Sequence, residues 1–293
     1  MELTRENVLI EALPYIREFH DSILVIKVGG KALIDLKTMD GIIQDAVLLR
    51  YVGAFPILIH GGGSEITHKM ELFGKKPEFV SGLRVTDDET LEIAQMVLVG
   101  NVNHRLVSMI GKHGGKGVGL SGKDGQLIMA KKKDPQRVLV KGEEQDVDLG
   151  WVGEVESINP EILWLVCENG YIPVVSPIAV DDMGNSLNVN ADIVAGDIAA
   201  ALKAKKLIML TDVLGVLKDP SDPDTLISKI KIDEVDELMK GGTIKGGMIP
   251  KMEACVNAVE SGVENAHIIN GTLKHSTLLE LFTNKGIGSM VYR

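Results

Sequence analysis

Two stretches of this sequence join an apolar, strand-like run to glycines and a polar side chain at its end. In VIKVGGKAL, Lys27 closes the run Ile23–Val28, and Gly29 and Gly30 follow. Glycines at a strand end let backbone N–H groups come close to a phosphate, and a lysine there can place its charge on the same spot, although a lysine and two glycines also serve ordinary turns. In ILIHGGGSEI, His60 ends a second run, and Gly61, Gly62 and Gly63 lead into a helix for which Ser64 is the expected cap. A tight strand-to-helix turn explains one glycine but hardly three, so the stretch reads as an anion site at a helix N-terminus.

Three further stretches carry candidate groups. Arg84 in SGLRVTD offers a guanidinium fork suited to a carboxylate, or an ordinary surface ion pair. LNVNAD places Asn188, Asn190 and Asp192 ahead of an alanine-rich helix; one of them is the expected cap, and three exceed what capping needs. In GGTIKGGMIPK, Lys245, Gly246 and Gly247 form a loop, and Lys251 falls in the first turn of the next helix, where it opposes the helix dipole unless an anion compensates it. TDVLGV, from Thr211 to Val216, adds a polar strand end of the kind that lines a nucleotide crevice.

Other chemistries fail on context. The HGGG run resembles a lipase oxyanion loop, but no GxSxG elbow exists; in GLSGK, Ser121 lacks the second glycine. Residues 117–123 fit GxxxxGK, but Asp124 stands where a P-loop needs Ser or Thr, and strand-like residues follow. No GxGxxG opens a helix after a strand, which removes support for a dinucleotide fold. The seven histidines and two cysteines, Cys167 and Cys255, show no metal-ligand spacing, so no protein-bound metal is expected and both thiols read as buried and inert.

These groups must be positioned by elements whose order is legible. Val8, Leu9, Ala12, Leu13, Ile16 and Phe19 recur at helical spacing before the first strand. The pattern then alternates: helix near 38–51, strand 56–60, helix 64–73 and a longer helix 87–112. Short apolar pieces between 118 and 155 suggest hairpins on one edge. A core strand follows at 172–175, the turn DDMGNS at 181–186 separates two hairpin strands, and a helix at 191–204 leads to a strand at 207–211. Helices near 233–240, 248–261 and 277–283 and a strand at 267–269 complete the set. Strands alternating with helices imply a mostly parallel open sheet covered on both faces, an α/β three-layer sandwich.

With 45% hydrophobic and 25% charged residues, 293 residues suffice for a large core. The net charge of -10 disfavours nucleic acid and anionic membranes as partners, so an anionic substrate needs a local cluster of lysines. The opening residues lack the basic and apolar regions of an export signal, and no window is apolar enough to span a bilayer, which gives an expected cytoplasmic location.

Taken in order, VIKVGGKAL, HGGGSEI, SGLRVTD, LNVNAD, TDVLGV and GGMIPK resemble the amino-acid kinase family, in the branch acting on N-acetyl-L-glutamate, from about Ile23 to the last residue. The resemblance implies a carbamate kinase-like fold. It also implies ATP-dependent phosphorylation of a side-chain carboxylate, with Mg²⁺ bound to the ATP. By the same resemblance Lys27 and Lys251 are the catalytic lysines, and Asp192 holds both. Gly62, Gly63, Arg84 and Asn188 are then the acetylglutamate contacts, while Gly29, Gly30, Thr211, Asp212, Gly215, Gly246 and Met248 surround ATP. Residues 23–200 would form the lobe binding acetylglutamate and 201–293 the lobe binding ATP. A kinase for an aminoadipate derivative differs by one methylene and stays open, as does a non-catalytic arginine sensor with the same fold. Aspartate kinases usually carry regulatory modules absent here, and carbamate and uridylate kinases fit SGLRVTD poorly.

The helix expected over 1–22 precedes the first family strand, as in arginine-inhibited members of that branch. The segment HIINGTLKHSTLLELFTNKGIGSMV resembles their arginine-site signature. The resemblance implies inhibition by L-arginine through Tyr15, His267, Glu280 and Gly286, and a homohexamer in which the opening helices interlace dimers.

Overall fold

The computed structural model describes residues 5–80, 82–140, 143–283 and 286–293, with side chains left aside at 5–9, 138, 139, 140 and 143–145. The side chains of Val8 and Leu9 and the residue Ser81 therefore lie outside the described set.

An eight-stranded sheet forms the frame. In spatial order its strands are Lys229–Lys231, Ser289–Tyr292, Asn265–Asn270, Lys206–Thr211, Ile23–Val28, Phe55–His60, Ile172–Ser176 and Gly117–Ser121. All neighbours run parallel except Asn265–Asn270 against Ser289–Tyr292. The strand Ile23–Val28 is central and buried at every position, as expected where helices cover both faces. Its alternate residues divide between two cores. Val25 joins Ile57, Ile59, Val175 and Met209 on one face. Leu24, Ile26 and Val28 join Leu58, Val174 and Ile208 on the other. Period-2 alternation thus sets Lys27 on the Val25 face, at the strand's C-terminal end.

That face is covered by the helices Ala191–Ala201 and Met248–Glu260, through Val194, Ala195, Ile198, Met252 and Cys255. The two helices touch backbone to backbone: a Cβ on Gly196 would lie 2.8 Å from the Ala254 carbonyl oxygen. The sheet runs unbroken across residue 200, since Ile23–Val28 pairs with Lys206–Thr211 on one side and Phe55–His60 on the other.

Several sequence expectations are corrected in detail. The helix after the three glycines is Gly63–Leu72, with Gly62 rather than Ser64 at its N-cap. The long helix expected over 87–112 comprises Asp88–Gln95 and His104–Lys112 joined by a π-helical segment, Met96–Asn103. Within 118–155 the expected hairpin pairing holds for Gln136–Val140 against Glu143–Val147, an antiparallel pair of its own, but the other pieces are placed differently. Gly117–Ser121 is the edge strand of the main sheet, whereas Ile128–Lys132 and Gly153–Ile158 pair in a four-stranded sheet with Ile178–Val180 and Ser186–Asn188. The DDMGNS turn does join an antiparallel pair. Both cysteines are buried, and burial pushes the Cys167 thiol up to about 12. No helix among the described residues is long and apolar enough to cross a membrane.

Candidate active site

Lys27 is 6% exposed and Asp192 is 5% exposed, and the Lys27 Nζ lies 2.7 Å from Asp192 Oδ1. Lys251 Nζ donates to Asp192 Oδ2 at 2.7 Å. One carboxylate therefore takes an ammonium on each oxygen, one from a strand end and one from the first turn of a facing helix. Both contacts are ion pairs at hydrogen-bond distance, and the Lys251 contact is also aligned as a hydrogen bond. Asp192 itself sits at the start of its helix, where the dipole favours an anion, and Asn190 is the cap, its Oδ1 accepting from the Asp192 N–H at 2.7 Å.

Burial lowers the Lys27 pKa and the Lys251 charge lowers it further, while Asp192 opposes both; the net direction is down. For Asp192, burial raises the pKa, but the two lysines outweigh it and the carboxylate stays ionised, below its ordinary value. Gly29 follows within reach: a Cβ there would fall on the Lys27 ammonium, so only glycine leaves that cation in place.

Beside the triad lies a cavity of about 230 Å³, lined by Lys27, the three glycines of 61–63, Arg84, Leu98, Asn188 and Asn190 among others. Arg84 is 8% exposed, and its Nη2 donates to the Gly63 carbonyl and to Thr67 Oγ1, both at 2.8 Å. Its Nη1 meets Met70 Sδ at 3.3 Å, and its guanidinium lies over the Phe79 ring, 4.6 Å from the centroid. None of these partners is charged, so a buried cation faces the cavity with its charge available to an anion. Burial lowers its pKa. Asn188 Nδ2 donates to Thr86 Oγ1 at 3.4 Å, which ties the LNVNAD segment to the one bearing Arg84.

The remaining nucleotide-site candidates lie at the same end of the sheet. Gly30 has φ +60° and starts a short helix, Lys31–Ile34. Thr211 ends the strand parallel to Ile23–Val28, and its hydroxyl reaches Asp212 Oδ1 at 3.4 Å. Gly246 and Gly247 immediately precede the Met248–Glu260 helix that carries Lys251. Gly215 is buried against Ser289 and Leu226, which gives it a packing role in the loop after Thr211.

Tyr15, His267, Glu280 and Gly286 line a second cavity of about 270 Å³, between the Arg5–Phe19 helix and the 280–290 segment. Glu280 accepts from His267 Nδ1 at 2.6 Å and from the Ile287 N–H at 2.5 Å. Burial works to raise its pKa, but these hydrogen bonds outweigh it and hold the carboxyl below its ordinary value.

Sequence reasoning did not single out the groups that hold these side chains. Thr67 lies one helical turn beyond Gly63, a spacing that was available. His60 was noticed only as a strand end, and its partner Asn103 lies 43 positions away.

A shared carboxylate between two lysines, with glycine loops and a buried arginine around a small cavity, defines a site for transfer between two anions. The amino acid kinase family profile matches residues 22–270, and the chain belongs to that family; it is a kinase. The acetylglutamate kinase of Methanococcoides burtonii is 64% identical over 99% of this chain and 95% of that one. Among solved structures, the N-acetylglutamate synthase of Neisseria gonorrhoeae with coenzyme A and N-acetyl-glutamate has a TM-score of 0.82 at 27% identity, covering 99% of this chain and 64% of that chain. The same enzyme with coenzyme A and L-arginine has a TM-score of 0.80 at 25% identity, covering 99% and 65%. Giardia lamblia carbamate kinase bound to AMP-PNP shares the fold, with a TM-score of 0.67 at 16% identity over 93% of this chain and 98% of that one.

Proposed function

We propose that this kinase transfers the γ-phosphoryl group of MgATP to the side-chain carboxylate of N-acetyl-L-glutamate, giving N-acetyl-L-glutamyl 5-phosphate and ADP, the second step of arginine biosynthesis in the cytoplasm. The observation that carries this is the Lys27–Asp192–Lys251 bridge beside the cavity holding Arg84. A glutamyl carboxylate has an intrinsic pKa near ~4.3, so it arrives ionised and needs no general base. Its oxygen attacks the γ-phosphorus, the bond from that phosphorus to the bridging oxygen breaks, and no proton moves. What must be supplied is position and positive charge. In this reading Arg84 and Asn188 take the α-carboxylate and the Gly62 and Gly63 N–H groups hold the substrate. Lys27, Lys251 and the Gly29–Gly30 backbone then meet the charge that develops on the transferring group and on ADP. Thr211, Asp212, Gly215, Gly246 and Met248 form the nucleotide side.

The reading extends to L-arginine as inhibitor in the second cavity, where the ionised Glu280 suits a guanidinium, and to a homohexamer built through the opening helices. The likeness to the Methanococcoides burtonii acetylglutamate kinase supports the substrate, and the likeness to the synthase bound to L-arginine supports the effector. The test is ATP-dependent acyl-phosphate formation trapped as hydroxamate, with N-acetylglutamate beside N-acetylaminoadipate, and arginine added to wild type and to Glu280→Gln. Preference for acetylglutamate and inhibition lost in the variant are expected. Product from aminoadipate alone, or no product from either, overturns the substrate; equal inhibition of both proteins overturns the arginine site.

A further inference from the structure

His60 is fully buried at the end of its strand, and the reaction proposed above does not use it. Its surroundings fix which ring nitrogen carries the proton. Asn103 Nδ2 lies 2.8 Å from the Val174 carbonyl oxygen, 3.3 Å from that of Leu120 and 3.3 Å from His60 Nε2. Two carbonyl oxygens mark that amide atom as the NH₂ group, which can only donate. His60 Nε2 is then the acceptor, the ring proton sits on Nδ1, and Nδ1–H donates to the Gly61 carbonyl at 2.8 Å.

Gly61 is thereby anchored through both peptide units that flank its Cα, because its N–H, in the preceding unit, donates to the Val28 carbonyl at 2.9 Å. No cis peptide occurs among the described residues, so the Gly61 C=O and the Gly62 N–H lie on opposite sides of one rigid plane. Fixing the first fixes the second. Gly62 and Gly63 open the Gly63–Leu72 helix with N–H groups that have no intrahelical partner, and both glycines line the cavity. The π-helical segment Met96–Asn103 braces the loop a second time through Leu98, whose Cδ2 would lie 2.5 Å from a Cβ on Gly62. A wider turn at that point brings Leu98 and Asn103 to the same loop, a use to which π-helical turns are often put.

We infer that His60, oriented by Asn103, is a positioning residue for phosphoryl transfer: by holding the Gly61 carbonyl it aims the Gly62 N–H at the bound carboxylate substrate. This rests on the reading of the cavity as the acetylglutamate site. Burial pulls the His60 pKa down to about 4, so the ring is neutral at pH 7 and acts through its hydrogen bonds, not as an acid or base.

The experiment compares His60→Asn with His60→Gln. An asparagine amide nitrogen superposes on Nδ1 and can still donate to Gly61, whereas a glutamine amide nitrogen superposes on Nε2 and cannot. His60→Asn keeps kcat/KM for acetylglutamate within about threefold of wild type, while His60→Gln loses roughly 10- to 100-fold, with KM for ATP unmoved and thermal melts alike. Proton–nitrogen correlation spectra of wild type labelled with ¹⁵N-histidine, with His60→Asn used to assign the signal, show Nδ1 protonated at neutral pH. Equal losses in the two variants, or losses that track their melting temperatures, overturn the proposal. So does a ring protonated on Nε2, a result that needs no substrate. If wild type forms no hydroxamate from acetylglutamate, the substrate reading fails, and the tautomer still decides whether His60 holds Gly61.

Discussion

Replacing Asp192 with Asn keeps the shape of the side chain and removes the one negative charge between two ammonium groups, each 2.7 Å from it. At an effective dielectric of about 20, opposite unit charges ~4 Å apart attract by ~4 kcal/mol. Lys27 depends on that attraction more than Lys251, because its side chain is 7% exposed against 19%. Burial and Lys251 already lower the Lys27 pKa, and Asp192 is what opposes them. In the variant Lys27 loses its proton more readily and the two lysines repel each other out of register. Loss of one preorganised electrostatic group costs roughly 100- to 1,000-fold in turnover, and Asp192→Asn should fall in that range. The variant should also lose turnover at a lower pH than wild type does as pH rises through the range where Lys27 gives up its charge, because burial and Lys251 pull that pKa down and Asp192 is what opposes them. Hydroxamate assays at saturating substrates across that range measure both. A variant with wild-type turnover and a flat profile would show that the carboxylate does not organise the lysines.

Gly29→Ala drives a methyl group into the Lys27 ammonium. It should abolish most activity while weakening acetylglutamate binding, followed by calorimetry, far less, since Gly29 itself is not among the residues lining the cavity and Arg84 and Asn188 are untouched. His60 makes a separate prediction about acid stability. The unfolded chain protonates His60 below its ordinary 6.5, but the folded chain does so only below about 4. The unfolded state therefore binds more protons between those values, and folding stability is lost as pH falls through them, by roughly 3 kcal/mol at 1.36 kcal/mol per pKa unit. Urea unfolding at several pH values should show this slope in wild type and its loss in His60→Asn; equal slopes would remove His60 from the account.

The site's main groups were legible because their chemistry is local in sequence. Lys27 is the lone charge in a buried strand, and three glycines in a row have few uses. Asp192, two residues after Asn190 and four after Asn188, signals more than a cap, and Asn190 indeed takes the capping role. The partners of these groups are harder to read. Nothing near His60 announces Asn103, 43 positions away, and although Phe79 lies only five positions before Arg84, the two-residue strands that pair them are too short to predict. The apolar spacing of 88–112 reads as one continuous helix, because a π-helical insertion changes the facing of later residues without changing residue types. Residues 118–155 depart from expectation for a different reason. Short apolar pieces report that strands exist but not which sheet takes them, and here one goes to the main sheet while others form a second. The strands Lys229–Lys231 and Ser289–Tyr292 are too short for alternation to register.

The contact between Gly196 and Ala254 bears on how this enzyme can move. The carbonyl oxygen and Cβ of Ala254 close on Gly196 at that crossing, so sliding the helices that bear Asp192 and Lys251 past each other would meet a collision, and the two are expected to move as one body. A hinge near residue 200 would have to leave that body whole. Opening to admit two substrates then falls to the pieces that approach it from outside: the glycine loop after His60, the segment bearing Arg84 and the loop after Thr211. The machinery that handles the transferring group would then stay assembled between turnovers, with the walls travelling around it.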